Sequence, residues 1–282
     1  MIPFSFLGPI VQRRFHRYLY PFLKERYFFS REIWNNLPAG NPKVFIRIDD
    51  FPYFDVPNEE FLRCHEVFEE LGIPYLLGVT PFWEFEVGKL RELSKDDGQI
   101  LKRCSPLCTI ALHGSSHHPY PEFKIQDELD HYSESAVELL VKKTRDKFLG
   151  IGVQPPTALI VPFNTITKET AVIFARYFTH ILTGPSALTT LGPRGLYENI
   201  GGAYHLPSFQ PFYGSCSYMM KRLKVPFKWG KECYIPLTIH WGWERAEGYN
   251  TMRALLKMLR GRIASFDEVK VWLDRKFPME VV

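Results

Sequence analysis

Two kinds of hydrophobic pattern alternate along this chain. Short, continuous apolar runs are typical of buried strands, and longer segments with apolar residues every three or four positions are typical of amphipathic helices. The loops between them contain many prolines, several of which stand directly after a predicted strand. This order predicts a single α/β domain, barrel-like or doubly wound, with its functional site at the strand ends.

Seven apolar runs are predicted as strands: Val44–Ile48, Ile73–Val79, Cys108–Leu112, Thr157–Val161, His180–Thr183, Gly202–Leu206 and Cys233–Ile239. Five amphipathic segments are predicted as helices: Asn58–Leu71, Gln126–Phe148, Lys168–Tyr177, Asn250–Arg262 and Phe266–Arg275. Asn58 is predicted to cap the first helix and Gly72 to end it. In the second helix we expect six residues to face the core: Leu129, Ala136, Val137, Leu139, Leu140 and Val141.

The composition is that of an ordinary globular protein. Of its 282 residues, 45% are hydrophobic and 23% are charged, which excludes wholesale disorder and allows a sizeable core. The formal net charge is only +4, whereas nucleic-acid-binding domains usually have a much larger basic excess. We therefore expect no nucleic-acid partner.

The positive charge is concentrated at the N-terminus. Residues 1–31 hold six basic residues and one acidic residue, so this segment has a net charge of +5 and residues 32–282 sum to −1. We predict a basic, aromatic N-terminal arm at 1–31 and one α/β domain at 32–282. The nine aromatic residues of the arm suit packing across the end of the domain, which we favour, or contact with an anionic membrane surface.

The cysteines and the N-terminus give no sign of secretion. The five cysteines are an odd number without a CxxC pair, and the basic residues near the N-terminus follow the apolar run rather than precede it. The longest uncharged stretch, 150–167, contains three prolines, so we expect no transmembrane helix. These patterns predict reduced cysteines and a cytoplasmic protein of undetermined oligomeric state.

Two adjacent carboxylates, Asp49 and Asp50, stand at the end of the first predicted strand. Such carboxylates repel each other and are costly to bury without a cation or hydrogen-bond donors. A bound metal ion would remove this conflict. The alternative is that both residues open a solvated turn before Pro52.

A histidine-rich loop follows the third predicted strand. His113 and His117 would lie roughly 13 Å apart on a strand but about 6 Å apart on a helical turn, so sharing an ion requires a turn after the strand. Imidazole nitrogens suit zinc. The pair lacks the glutamate of the HExxH zinc proteases. The register decides whether His117 or the adjacent His118 points inward.

A third histidine, His240, ends the last predicted strand and is followed by two tryptophans and Glu244. A lone histidine is commonly a core residue. Its position at a strand end, like that of the aspartate pair and the histidine loop, favours a functional role instead.

Together these strand ends resemble the motifs of the polysaccharide deacetylases, the NodB-homology or carbohydrate esterase 4 family, and especially a divergent branch with RIDD and LHGxxH segments. Arg47–Phe51 matches the family's T-F-D-D-G, His113–His117 matches H-[S/T]-x-x-H, and Leu237–His240 matches L-x-x-H. The resemblance implies a distorted (β/α) barrel of about seven strands. The matched motifs span residues 44 to 244.

The resemblance also implies roles for individual residues. Asp50, His113 and His117 would bind a divalent metal, most often Zn²⁺, while Asp49 would be the general base and His240 the general acid. The implied reaction is removal of an N- or O-linked acetyl group from a sugar or polysaccharide by activated water. The backbone N–H of Phe163 would supply an oxyanion donor.

Aromatic and acidic residues near the strand ends are candidates to bind the sugar. We expect Trp83, Trp241 and Tyr53 to contribute first, ahead of further aromatic residues at 51, 82 and 243. Glu122 and Glu244 are candidates for supporting or substrate-binding carboxylates.

The chain departs from the family at two motifs. The third motif of the family is R-P-P-Y, and its arginine pairs with a later aspartate that orients the base. The matching segment here, Ile160–Asn164, lacks that arginine. The fourth motif, Asp-x-x-Asp-Trp, is also not found. Two alternatives stay open. One is a catalytically weak or inactive relative that serves as a carbohydrate-binding module, and the other is a glycoside hydrolase that uses Asp49 or Glu244 as paired carboxylates.

Overall fold

A computed structural model shows the fold of the chain and describes residues 31–53, 56–86, 89–117, 128–129, 132–191, 195–223 and 226–279. The N-terminal arm lies outside the described residues except for its last position, Arg31. His118 and Glu122 also lie outside them. The domain boundary after residue 31 stays a prediction.

Eight strands form one central sheet, and two more form a separate antiparallel hairpin. The strands are β1 (Lys43–Phe51), β2 (Tyr75–Val79), β3 (Phe82–Glu86), β4 (Lys89–Glu92), β5 (Cys108–His113), β6 (Ala158–Ile160), β7 (His180–Thr183), β8 (Asn199–Ile200), β9 (Ala203–Pro207) and β10 (Tyr234–His240). The central order is β10-β1-β2-β5-β6-β7-β9-β8, and its only antiparallel pair is β8 with β9. The seven parallel strands are the seven that the apolar runs predict.

Ten α-helical segments accompany these strands in the described part of the chain. They are α1 (Arg31–Asn36), α2 (Asn58–Leu71), α3 (Lys95–Cys104), α4 (Glu134–Gly150), α5 (Lys168–Phe174), α6 (Ala187–Thr190), α7 (Cys216–Arg222), α8 (Trp241–Glu244), α9 (Asn250–Leu259) and α10 (Phe266–Lys276). None of them combines the length and apolar character that a membrane crossing needs.

The sheet curves towards itself without closing. Its ladder ends at β10 on one side and β8 on the other, but the segment after β9 hydrogen-bonds to β10. The N–H of Thr238 donates to the Phe212 carbonyl at 2.8 Å, and the Ser208 hydroxyl donates to the Pro236 carbonyl at 3.1 Å. This arrangement confirms the expected distorted barrel, with an open ladder.

The alternation of side chains on β1 sets up the site. Val44, Ile46 and Ile48 lie on one face of the strand, and Arg47 and Asp49 lie on the other, because successive side chains point to opposite faces. Both faces are buried, as is usual for a strand inside a parallel sheet. Two charged residues are thereby placed side by side in the interior of the barrel.

Two helix predictions need correction. Asn58 is the first residue of α2 rather than its cap, and its side chain instead hydrogen-bonds to Asp97 and Arg91. Gly72 does end the helix, in the left-handed conformation at φ 62° that glycine adopts without strain.

The second predicted helix begins later than expected, at Glu134, where the Ser133 hydroxyl accepts a hydrogen bond from a backbone N–H of the first turn. Leu129 is buried but precedes the helix. Leu139 is 66% exposed, because the buried stripe of the helix runs through Val137 and Leu140, and Leu139 lies about 200° around the axis from Val137.

The sequence patterns did not predict the β3–β4 hairpin or α3. The hairpin lies against the histidine loop: the N–H groups of Phe82 and Glu84 donate to the carbonyls of Ser115 and Ser116, both at 2.9 Å. Helix α3 begins with a reciprocal pair of hydrogen bonds between Ser94 and Asp97.

The close packing of β2 against β5 leads to the first prediction. A Cβ at Gly78 would lie 3.1 Å from the His113 Cβ and 3.2 Å from the Ile160 Cδ1. Gly78→Ala should therefore lower the free energy of unfolding by about 1–3 kcal/mol through overpacking, as measured by urea denaturation. The matched control is Gly150→Ala, where no atom lies within 4 Å of the added Cβ. Equal effects of the two substitutions would contradict the prediction.

Candidate metal centre and active site

The candidate residues meet at the carboxyl ends of three strands. Asp49 and Asp50 end β1, His113 ends β5, and His240 ends β10. Because β1 pairs with β10 in parallel, Asp49 and His240 stand directly opposite each other across the ladder. The two residues are thus neighbours in space although 191 positions separate them in the sequence.

A bulge explains how two consecutive aspartates both reach the site. The register of β1 against β2 shifts between Ile48 and Phe51, where three steps along β1 match two along β2. At this point Asp50 adopts the left-handed region with φ 76°, and its carbonyl accepts a 2.8 Å hydrogen bond from the Trp241 indole N–H. The bulge and this contact fix the backbone that presents the Asp50 carboxylate.

Asp50, His113 and His117 form one cluster whose ligand atoms lie within 4.8 Å of one another. The Nε2 atoms of His113 and His117 lie 3.1 Å and 3.4 Å from the same carboxylate oxygen, Oδ1 of Asp50. A turn after β5, with Gly114 at φ 65° and His117 at φ 50°, brings the second histidine back to the site. The spacing argument for a turn is therefore correct.

The donor set and its dimensions fit a divalent ion. Ligands about 2.1 Å from a tetrahedral zinc lie about 3.4 Å from one another, close to the two distances found here. Nδ1 of His113 lies 3.1 Å from the Ile160 carbonyl, to which it donates, so Nε2 is the nitrogen that faces the cluster. Two imidazoles and one carboxylate are a common ligand set for a catalytic metal that keeps an open coordination position.

The Glu128 carboxylate hydrogen-bonds to the histidine loop, residues 113–117. Its Oε1 atom accepts hydrogen bonds from the backbone N–H groups of Ser115 at 2.6 Å and Ser116 at 3.0 Å. Glu128 is buried, and burial raises the pKa of its carboxyl group despite these donors. Together with the hairpin, this carboxylate fixes the conformation of the loop between His113 and His117.

Asp49 has a different environment from Asp50. The Arg47 guanidinium donates two hydrogen bonds to it, from Nε to Oδ1 at 2.7 Å and from Nη2 to Oδ2 at 2.6 Å. Arg47 is 0% exposed, and its remaining donors reach the Thr183 carbonyl at 2.7 Å and the Asn164 side chain at 3.3 Å. Asp49 is thus a buried carboxylate in a bidentate ion pair, which is a strong and directional interaction.

The charges in the site oppose the effect of burial on both aspartates. Burial alone would raise the pKa of Asp49, but the Arg47 charge and hydrogen bond hold the pKa below its usual range. For Asp50, the hydrogen bond from His113 and the nearby histidine charges likewise outweigh burial and lower the pKa. Both carboxylates are therefore ionised at neutral pH, as a metal ligand and a general base must be.

His240 lies across from Asp49 and is held between two aromatic rings. Its Nε2 is 3.9 Å from Oδ2 of Asp49, and the Tyr213 hydroxyl is 3.5 Å from the same nitrogen. The Trp243 ring stacks on the imidazole with centroids 4.0 Å apart and an interplanar angle of 12°. Burial lowers the pKa of His240, although Asp50 and Asp49 act in the opposite direction.

The aromatic residues expected to bind the sugar differ in their accessibility. Trp241 is 1% exposed and donates its indole N–H to the Asp50 carbonyl, so little of its ring surface is left to stack on a substrate, and its role in binding the sugar stays a prediction. Trp83 is 7% exposed and stacks on His117 with ring centroids 4.7 Å apart, and the Phe163 ring lies 4.4 Å from the same imidazole at an angle of 48°. Tyr53 packs between the two tryptophans and is half-buried.

Glu244 does not have the setting of a catalytic carboxylate. It is buried, and its Oε1 accepts a 3.0 Å hydrogen bond from the backbone N–H of Cys216 at the start of α7. Its contact stabilises the connection between α8 and α7. The proposal that Glu244 supports substrate directly is therefore not favoured.

We compared the sequence and the fold with known proteins. No family model and no curated protein matches the sequence. A protein from Mycobacterium smegmatis described as a polysaccharide deacetylase has a similar structure, with a TM-score of 0.60 at 13% identity over 85% of this chain and 96% of that one. The Xyl-CE4 domain of a multidomain xylanase from the hindgut metagenome of Trinervitermes trinervoides gives a TM-score of 0.50 at 11% identity over 84% and 91%.

The chain has the polysaccharide deacetylase fold. A family 4 carbohydrate esterase pseudoenzyme from Bacillus anthracis is also similar, with a TM-score of 0.49 at 9% identity over 82% of this chain and 66% of that one. Identities this low bear on the fold alone, so the function has to be argued from the site.

Within this fold, the sequence analysis missed the role of Arg47. The expected position for an arginine was the third motif, where this chain has Ile160–Asn164. The structure instead provides a guanidinium from β1, two residues before the aspartate that it contacts. The signal was present, because residues two apart on a strand share a face. Tyr213 was also missed, since no motif adjoins it.

The buried ion pair gives a second prediction. Arg47→Met should lower the free energy of unfolding by about 3–5 kcal/mol, because it leaves the Asp49 carboxylate buried without its partner. Urea denaturation measures this loss. The matched control is Lys43→Met, which breaks the exposed 2.8 Å ion pair with Glu268 and should cost about 0–1 kcal/mol. A loss of less than about 1 kcal/mol for Arg47→Met would contradict the role given to the pair.

Proposed function

We propose that this protein is a metal-dependent hydrolase that removes an N- or O-linked acetyl group from a sugar or polysaccharide. The observation that supports this proposal most strongly is the juxtaposition of a three-ligand cluster with an ionised carboxylate and a histidine that face each other. Hydrolysis of an acetyl group needs these parts: an activated water, a base to deprotonate it and an acid to protonate the leaving group.

Asp50, His113 and His117 are the residues that would hold the ion, which we propose is Zn²⁺. When bound there, the ion would polarise an acetyl carbonyl and make a water molecule more acidic. The hydrogen bond from His113 to the Ile160 carbonyl and the stacking of Trp83 on His117 keep both imidazoles in orientation.

Asp49 acts as the general base in this proposal. Arg47 keeps its carboxylate ionised and in a fixed orientation, while the second lone pair of each oxygen stays available to accept a proton. The carboxylate lies next to the proposed metal ligand Asp50 and opposite His240, so it belongs to the same site. Asp49 would take a proton from the water that attacks the carbonyl carbon.

His240 acts as the general acid. Its Nε2 faces the same space as Oδ2 of Asp49, and the contacts with Trp243 and Tyr213 restrict rotation of the ring. The imidazolium would give its proton to the departing amine or alkoxide, so that the carbon–nitrogen or carbon–oxygen bond breaks with a neutral leaving group. General acid catalysis of this kind typically contributes a factor of about 10² to 10⁴ in rate.

Phe163 supplies the oxyanion donor in our proposal. It is the middle residue of the one-turn 3-10 segment Pro162–Asn164, at φ 53°, and its side chain packs on His117. This φ lies outside the helical range, so Phe163 is a kink in the turn rather than part of a regular helix. Its backbone N–H, beside the cluster, would stabilise the negative charge that develops on the carbonyl oxygen.

Both alternatives that the sequence left open are less well supported. The missing third-motif arginine favoured a non-catalytic carbohydrate-binding module, but Arg47 provides a guanidinium to the proposed base. A glycoside hydrolase needs two available carboxylates on either side of the scissile bond. Glu244 is buried against the Cys216 N–H and does not meet that need.

The third prediction tests the metal and the base separately. Purified protein should bind one equivalent of Zn²⁺ and release acetate from acetylated chito-oligosaccharides or O-acetylated xylo-oligosaccharides. His113→Ala should abolish stoichiometric zinc binding, measured by elemental analysis. Asp49→Asn should keep the zinc and reduce acetate release by about 10²-fold or more, because an amide cannot take up the proton. The substitution also weakens the ion pair with Arg47, so urea denaturation is measured on the same variant to show that it is folded.

The control variant for both measurements is Glu268→Gln, which changes an exposed carboxylate outside the site. Undiminished zinc binding by His113→Ala would contradict the metal site. Zinc binding without acetate release from any of these sugars, together with an inert Asp49→Asn substitution, would favour the carbohydrate-binding module.

A further inference from the structure

Trp243 is an exposed aromatic ring attached directly to the catalytic centre. It is 52% exposed, whereas the neighbouring Trp241 is 1% exposed. The structure describes all six tryptophans of the chain. Among these six, only Trp243 is exposed. Burying a large apolar side chain contributes roughly 1.5–3 kcal/mol, much of which is forgone here. Single exposed apolar residues are common on protein surfaces, but this one lies against the proposed general acid, which makes it a candidate ligand-binding residue.

The short helix α8 holds this ring rigidly. Trp241 points inward and donates to the Asp50 carbonyl, and Glu244 points inward and accepts from the Cys216 N–H. At Gly242 the Tyr53 ring lies so close that an added Cβ would be 3.2 Å from it. Contacts on both sides of Trp243 thus hold the backbone of the turn, and its ring is held against the His240 imidazole. A preorganised surface of this kind loses little entropy on binding.

One face of the Trp243 ring is already occupied. The His240 imidazole stacks on it with centroids 4.0 Å apart and nearly parallel planes. The exposed area is therefore the opposite face and the edges. A second ring stacked on that opposite face would lie two layers, roughly 8–9 Å, from the imidazole.

We propose that Trp243 is a stacking platform for the sugar unit next to the one that reacts, so the substrate is an oligosaccharide or polysaccharide chain. This inference rests on the proposed deacetylase function. The reacting unit must bring its acetyl group to the cluster and its leaving atom to Nε2 of His240, so it cannot also lie on the far face of Trp243. A sugar ring presents C–H groups, which suit the electron-rich face of an indole.

The fourth prediction compares a single sugar with a chain of four. Zinc-loaded protein is titrated with N-acetylglucosamine and with tetra-N-acetylchitotetraose, and binding is followed by calorimetry. Trp243→Ala should weaken binding of the tetrasaccharide roughly three- to tenfold and leave the monosaccharide unchanged, because only the chain reaches the platform. Trp243→Phe should retain most of the affinity. The control is Leu139→Ala, an exposed apolar residue on α4.

Acetate release is measured on the same protein to separate the two proposals. Trp243→Ala should raise KM for the tetrasaccharide and not for the monosaccharide, whereas loss of the contact with His240 should lower kcat for both sugars by the same factor. Two results would overturn the platform. One is that the unchanged protein does not bind the tetrasaccharide. The other is that Trp243→Ala weakens binding of both sugars equally, which would mean that Trp243 only orients His240. If no sugar releases acetate but the Trp243-dependent chain-length effect persists, the platform stands and the deacetylase function falls.

Discussion

The buried ion pair between Arg47 and Asp49 is the interaction on which the site depends. A guanidinium and a carboxylate, both inside the barrel, are costly to desolvate, and their mutual attraction compensates only with good geometry and further hydrogen bonds. Here the geometry is bidentate, and the remaining donors reach Thr183 and Asn164 on other elements. The pair therefore links β1 to the far side of the curved sheet and keeps the proposed base ionised.

The candidate metal cluster depends on backbone features as well as on side chains. A bulge in β1 places Asp50 in the left-handed region, so that two adjacent carboxylates both reach the site. The histidine loop is fixed by the Glu128 carboxylate on one side and by the β3–β4 hairpin on the other. Both devices restrict loops that would otherwise be mobile, which is what a preorganised metal site requires.

Much of the fold and of the candidate site can be predicted from the sequence, and there are physical reasons why the other parts cannot. Apolar runs identify all seven parallel strands, because strands buried on both faces are continuously apolar. The β3–β4 hairpin is missed because Glu84, Arg91 and similar charged residues interrupt its apolar pattern. Aromatic residues in one turn, such as Trp241 and Trp243, cannot be told apart without knowing which side of that turn faces the core. The partners of Arg47 are more than 100 residues away in the sequence.

The pairing of β1 with β10 has a consequence for the order of events during synthesis. Asp49 and His240 are opposite neighbours in the ladder, but 191 positions separate them, so β10 is synthesised well after β1. Until β10 follows, the nascent chain holds the proposed metal ligands and base without the proposed acid, and the edge of β1 lacks its partner strand. The proposed acid and the protection of that edge therefore arrive together, when β10 docks.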